Sequence, residues 1–445
     1  MRFVIIGGSD AGISAALRAR ERDSSAHITV ILADAFPNYS ICGLPFYLSG
    51  ETPDWHQLAH CTEFEGIELL TNHTAQEFNP LTRTVTVMEA NGRAKAISYD
   101  TLLIATGARP IMPSIPGIDI PGVFPLHTME DSFRVHRHLE REHPQSAVIV
   151  GSGYIGLEMA DALTHRGVKV TLIGRSKTVL PTVNSSFGRV VEDKLRSHGV
   201  RVESDCEVRG ITETGGRLLV HGSRDLAISA ELVLVGVGVQ PNTAIGQKEG
   251  LRTGVKGAFC VNRRMEMNIA GVYAAGDCVE TWHRLLGAST YLPLGTTSHK
   301  QGRVAGENAV GGSREFQGSL GTQVVKVFDL AIARTGVRDN EARQAGFRPF
   351  TVESWHFDHK AYYPGAQQLC ISLTGDRQTG KLLGAQILGH WRSEVAKRID
   401  VYATAIFYGM DIEAVNDLDL SYTPPFSSPW DPVQMAAQAW SRALA

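Results

Sequence analysis

Two stretches of the chain share one pattern. Consecutive apolar residues run into a glycine-rich turn, and apolar positions at helical spacing follow. The first comprises Phe3 to Ile6, the turn Gly7-Gly8-Ser9-Asp10-Ala11-Gly12, and Ile13 to Arg20. The second comprises Ala147 to Val150, the turn Gly151-Ser152-Gly153-Tyr154-Ile155-Gly156, and Leu157 to Leu163. A further apolar run follows each, Ile28 to Leu32 and Val168 to Ile173. Apolar runs this short read as buried strands. The pattern predicts the opening βαβ of a dinucleotide-binding unit, present twice.

Glycines in such a turn let the backbone approach a pyrophosphate, while the helix N-terminus offers unpaired N–H groups and a partial positive charge. One turn alone is weak evidence; two in the same strand–turn–helix setting point to two nucleotide sites. The second turn is complete, whereas the first has Ser9 where the middle glycine is usual. An NAD site ordinarily ends its second strand with an acid that binds the ribose 2′-hydroxyl. Here Ile173 is followed by Gly174-Arg175-Ser176-Lys177, which offers two cations and a hydroxyl to a 2′-phosphate. NADPH is expected, with NADH less favoured.

Prolines at 110, 113, 116, 121 and 125 mark an extended crossing between the two units. From about residue 320 the glycine fingerprints end. Strand-like runs Gln323 to Phe328 and Leu382 to Leu388 follow, then a helical stretch from Ser393 to Tyr408.

Composition mainly excludes. The 445 residues suit about three domains. A net charge of −3 gives no broad basic face for nucleic acid. No apolar run reaches the ~18 residues of a spanning helix, and no charged-then-apolar leader opens the chain, so no membrane partner and a cytoplasmic location are expected. The six cysteines form no CxxC, which signals neither a metal site nor a disulfide framework. Cys206, Cys260, Cys278 and Cys370 read as packed thiols, and Cys61 shows no reactive setting.

Three further motifs carry a resemblance. They are Leu102 to Pro110, with its Ala105-Thr106-Gly107; Val235 to Asn242; and Gly271 to Asp277. With the two turns, in this order, they resemble the flavin- and pyridine-nucleotide-dependent disulfide reductases over essentially the whole chain. The resemblance implies an α/β, glutathione reductase-like fold: two Rossmann-like dinucleotide-binding domains plus a C-terminal α+β dimerisation domain. Residues 1–115 and 245–320 would bind FAD, 116–244 NADPH, and 321–445 a second copy. FAD falls to Gly7, Gly8, Ser9, Gly12, Thr106 and Gly107, with Asp277 on the ribityl chain. Leu32 stands where the family has Glu for the adenosine ribose, which leaves Asp34 as the nearest acid. NADPH falls to Gly151, Gly153, Ile155, Gly156, Arg175, Lys177 and Gly238. Tyr154 would move aside for the nicotinamide, with Glu158 nearby.

The branch follows from one cysteine. Tyr39 to Tyr47 contains Cys42 alone, where the glutathione reductase branch has a pair separated by four residues; position 47 is Tyr. The combination resembles coenzyme A disulfide reductases and the single-cysteine NAD(P)H oxidases and peroxidases. A lone thiolate stores oxidation as a mixed disulfide with a small thiol or as a sulfenic acid. A helix start lowers a thiol pKa, and Pro45 suits a first turn. The resemblance further implies that Tyr362 and Tyr422 reach the site across a homodimer, Tyr422 supplying a proton. Ser40, with the cations Arg18, Arg22, His299 and Arg303, is a candidate lining for an anionic disulfide. Arg18 and Arg22, like His299 and Arg303, are four apart and share a helix face. The peroxidase branch carries His at the position of Asp10, and Trp430 is closer to the peroxidase pattern. The leading expectation is an NADPH-dependent reductase of coenzyme A disulfide or a related small-molecule disulfide or persulfide. Behind it stand an oxidase or peroxidase cycling Cys42 through sulfenic acid, and a slow flavoprotein redox sensor.

Overall fold

The structure, a computed structural model, describes residues 1–445. Arg2–Ile6 is the central strand of a five-stranded parallel sheet. His27–Ile31 and Ile67–Leu70 lie on one side of it, Thr101–Ile104 and Val272–Ala274 on the other. Phe3, Ile5, Ile28 and Leu103 are completely buried, as strands covered on both faces require. Ser146–Val150 is likewise central in a second five-stranded parallel sheet. Its neighbours are Lys169–Ile173 then Arg201–Glu203, and Leu232–Val235 then Val123–Pro125. Helices Asp10–Arg22 and Tyr154–His165 leave the two central strands. Both glycine turns therefore stand at the carboxyl end of a strand where the order reverses, the crevice in which doubly wound sheets take ligands.

Helix Gly295–Ala309 lies along Asp10–Arg22. A Cβ on Gly302 or Gly306 would come within 2.2 or 2.1 Å of the carbonyl oxygens of Ala11 and Ala15, so the absence of side chains permits this close approach. It brings Ser298 and His299 beside the first glycine turn.

The proline-rich crossing is shorter than the sequence suggests. Ala108–Pro110 pairs antiparallel with Val239–Pro241, and Val123–Pro125 already belongs to the second sheet. Proline lacks an N–H and is confined to sheet edges, and Val123–Pro125 is an edge strand.

The C-terminal unit is a five-stranded antiparallel sheet in the order Gln323–Val327, Leu330–Gly336, Leu382–His390, Gln368–Asp376, Pro349–Phe357. Helices Val395–Phe407 and Pro432–Leu444 bury Tyr402 and Trp440 against it. Trp355, Tyr362, Tyr408, Phe426 and Trp430 of the same unit remain exposed. No helix of the chain is long and apolar enough to cross a membrane.

Candidate active site

The two glycine turns share one steric plan. A Cβ on Gly7 would lie 2.0 Å from Ala105 O, and one on Gly151 2.2 Å from Gly236 O; both glycines have positive φ. A Cβ on Gly12 or Gly156 would lie 1.8 or 1.9 Å from the carbonyl oxygen of Gly7 or Gly151. Side chains are sterically excluded at these four positions. Gly153 and Gly107, by contrast, face open space. Neither Ser9 nor Gly153 caps its helix through a side chain, so the first N–H groups stay available to an anion. Each cradle fits the pyrophosphate of a dinucleotide.

Both cradles open into one cleft of about 2270 Å³. Cys42 borders it from the short turn Ile41–Gly43, which runs directly into helix Leu44–Ser49 with Pro45 in the first turn. That helix packs on Tyr154–His165, which contributes Tyr154, Ile155 and Glu158 to the same cleft. Burial, assisted by Asp161, pushes Glu158 up to about 7. The Cys42 thiol is also pushed up, first by burial, then by the charges of Glu158, Asp10 and Asp277. This reverses the helix-start expectation. Burial outweighs the fraction of a charge that a six-residue helix brings, and the charges of three carboxylates add to it.

Asp277 borders the cleft and accepts a hydrogen bond from Ser298 Oγ at 2.8 Å, while its backbone oxygen accepts one from the Tyr291 hydroxyl at 2.9 Å. Asp34 accepts from the backbone N–H of Phe36 at 2.9 Å. Burial raises the pKa of both. Leu32 fills the space beside Gly8, 1.8 Å from where a Cβ there would stand. Thr106 Oγ1 donates to Asn242 O at 2.6 Å, tying the first unit to the chain returning from the second. Gly238 and Arg175 border the cleft along the second unit, and Arg175 is exposed. Burial raises Asp10, while the charges of His299 and His60 lower it.

Other predicted residues do not join. Lys177 and Ser40 lie outside the cleft lining. Ser40 instead donates its backbone N–H to Leu58 O. Arg18 donates to Glu307 at 2.8 and 2.6 Å and to Glu21 at 2.8 Å. Arg22 lies 4.0 Å from Glu307. Two carboxylates thus occupy the Arg18 and Arg22 face, and neither arginine borders the cleft. His299 and Arg303 do border it, Arg303 standing 3.5 Å from Glu21. Tyr362 and Tyr422 are exposed and away from their own chain's cleft; Lys360 Nζ stands 6.0 Å over the Tyr422 ring. Cys206, Cys278 and Cys370 are buried as expected, but Cys260 is only partly so, and Cys61 is exposed.

No motif pointed to Thr182, Glu207, Ser298 or His127, which also border the cleft. They come from connections and helix faces whose placement only the assembled fold fixes.

Two dinucleotide cradles opening into one cleft that a cysteine also borders are the arrangement of a pyridine-nucleotide oxidoreductase. The chain belongs to the pyridine nucleotide-disulphide oxidoreductase family, whose model matches residues 1–302; the family's dimerisation domain matches residues 322–432. That family depends on FAD and a pyridine nucleotide. The chain is 35% identical over 444 residues to the NAD(P)H sulfur oxidoreductase (CoA-dependent) of Pyrococcus furiosus, covering 98% of each protein. It is 28% identical over 441 residues, again 98% of each, to the coenzyme A disulfide reductase of Staphylococcus haemolyticus. Among solved structures, the NAD-dependent persulfide reductase from A. fulgidus matches with TM-score 0.95 at 36% identity, over 100% of this chain and 83% of that one. An engineered water-forming NADPH oxidase bound to NADPH, a mutant of LbNOX, matches with TM-score 0.95 at 25% identity, over 100% and 99%.

Proposed function

We propose that this protein is an NADPH-dependent reductase of a small-thiol disulfide or persulfide, coenzyme A disulfide foremost, acting through FAD and Cys42. The observation that carries the proposal is that Cys42 borders the cleft into which both cradles open, without a neighbouring thiol. The other cysteine along the cleft, Cys206, is buried and donates its backbone N–H to Gly174 O beyond the second strand. The relatives named as a CoA-dependent sulfur oxidoreductase and a coenzyme A disulfide reductase support a thiol-derived substrate.

Residues 1–115 with 245–320 hold FAD, 116–244 hold NADPH, and 321–445 pair two copies. FAD, when bound, supplies the two electrons taken from the pyridine nucleotide. The Cys42 thiolate attacks one sulfur of the substrate, forming a mixed disulfide and releasing one thiolate. Two electrons and one proton then restore the Cys42 thiolate and free the second thiol. Tyr422 of a second copy protonates the leaving thiolate, and Tyr362 positions it. His299 and Arg303 face the anionic part of the substrate.

Arg175 is the basis for NADPH. The engineered NADPH oxidase carries Ala-Arg-Ser in place of a consecutive Asp-Ala-Met, and this chain reads Gly174-Arg175-Ser176. NADH is the second reading, favoured by Glu207, a carboxylate at the same part of the cleft. The ratio of kcat/KM for the two nucleotides separates them, and a ratio at or below unity refutes the NADPH preference.

The test of the reaction is an anaerobic assay with coenzyme A disulfide, together with mass spectrometry of the oxidised protein. Nucleotide consumption and a thiol adduct on Cys42 are expected. Consumption only with oxygen or peroxide, and a sulfenic acid on Cys42, would establish the oxidase or peroxidase instead.

A further inference from the structure

The C-terminal sheet grips a segment of the second unit that borders the cleft. Arg334 Nη1 donates to Thr182 O at 2.6 Å, and Arg338 Nη1 donates to Pro181 O at 2.7 Å. Glu341 holds both guanidiniums, at 3.2 Å from Arg334 and 2.8 Å from Arg338. Asn184 donates its backbone N–H to Gln386 Oε1 at 2.7 Å, and Gln386 Nε2 donates back to Asn184 Oδ1 at 2.8 Å. Thr182, fixed at its carbonyl, donates from Oγ1 to the Tyr154 hydroxyl at 3.4 Å. Thr182 and Tyr154 both border the cleft, and Tyr154 is the first residue of the second cradle's helix.

We infer that Thr182, clamped by Arg334 and Arg338, is a positioning residue that holds the Tyr154 ring at rest and so sets how readily the pyridine nucleotide enters its pocket. This rests on the proposed assignment of the second cradle to that nucleotide and on the expectation, implied by the resemblance, that the Tyr154 ring moves aside for the nicotinamide. A ring that moves on binding breaks the Thr182 bond, so the bond opposes binding. At 3.4 Å the bond is longer than the usual ~2.5–3.0 Å of an O–H···O pair, so it falls in the lower half of the ordinary range, about a 2- to 5-fold effect. The clamp arises in the C-terminal unit, so nucleotide access is tied to that unit's integrity.

The test uses the FAD-loaded enzyme and a dye as electron acceptor, which removes Cys42 and the disulfide from the assay. Thr182→Val and Tyr154→Phe should each lower KM for NADPH by about 2- to 5-fold, with a smaller change in kcat. The double variant should go no further, as expected for two ends of one bond, and Thr182→Ser should restore the wild-type value. The visible flavin band should shift alike in the two single variants. Unchanged KM and band in Thr182→Val, or additive effects in the double variant, overturn the inference while the pocket assignment stands. Wild-type flavin that neither NADPH nor NADH reduces overturns both.

Discussion

Burial and then the charges of three carboxylates hold the Cys42 thiol up, and Glu158 is the first of those charges. Glu158→Gln removes it, so the pH at which iodoacetamide alkylates Cys42 at half its maximal rate should fall. An unchanged or higher midpoint counts against this electrostatic account. The same carboxyl titrates near 7 in the folded chain against an ordinary 4.5. Because the folded state holds the extra proton, this group favours folding below 4.5, and that contribution disappears as pH rises through about 7. Thermal unfolding should therefore show Glu158→Gln melting above the wild type at pH 8, with the gap closing near pH 5. Cys42→Ser should abolish disulfide reduction yet keep the flavin, which absorbance at the flavin band would report.

At the scale of elements, local pattern reached far. The apolar runs, the glycine turns and the helix at Val395–Phe407 could be read because each obeys a short-range rule. What escaped depends on distant partners. Arg18 has the spacing of an anion-binding residue, but Glu307, 289 positions away, already holds it. Cys42 sits at a helix start, yet its carboxylates come from other parts of the chain. The prolines signalled a linker, while Val123–Pro125 had a sheet edge to occupy.

The cradles themselves give a paired prediction. A methyl at Gly156 would meet Gly151 O, and one at Gly12 would meet Gly7 O; backbone displacement of this kind costs about 1–3 kcal/mol or more. Gly156→Ala should lose pyridine nucleotide binding while retaining FAD, and Gly12→Ala should lose FAD. Flavin content and nucleotide titration read both, and loss of the same ligand in both variants contradicts the division. Arg175→Ala should lower kcat/KM for NADPH by about 10-fold or more, the scale of one charged hydrogen bond, with little change for NADH.

For the molecule as a whole, the exposed aromatic side chains of the C-terminal unit make the proposed pairing of two copies testable through mixing. Chains carrying Cys42→Ser and chains carrying Tyr422→Phe should each be impaired alone. If Tyr422 serves the other copy's thiol, mixed pairs contain one site with both groups intact, and turnover should recover. No recovery means that the two residues act within one chain or that Tyr422 moves no proton. The passages Ala108–Pro110 and Val239–Pro241, paired strand to strand, have a different consequence. Everything between them leaves and rejoins its host at neighbouring backbones, a strand spacing of roughly 5 Å apart. Such a guest is joined to its host at one place: a short turn would close the gap, and the strand order of the host sheet contains none of its strands.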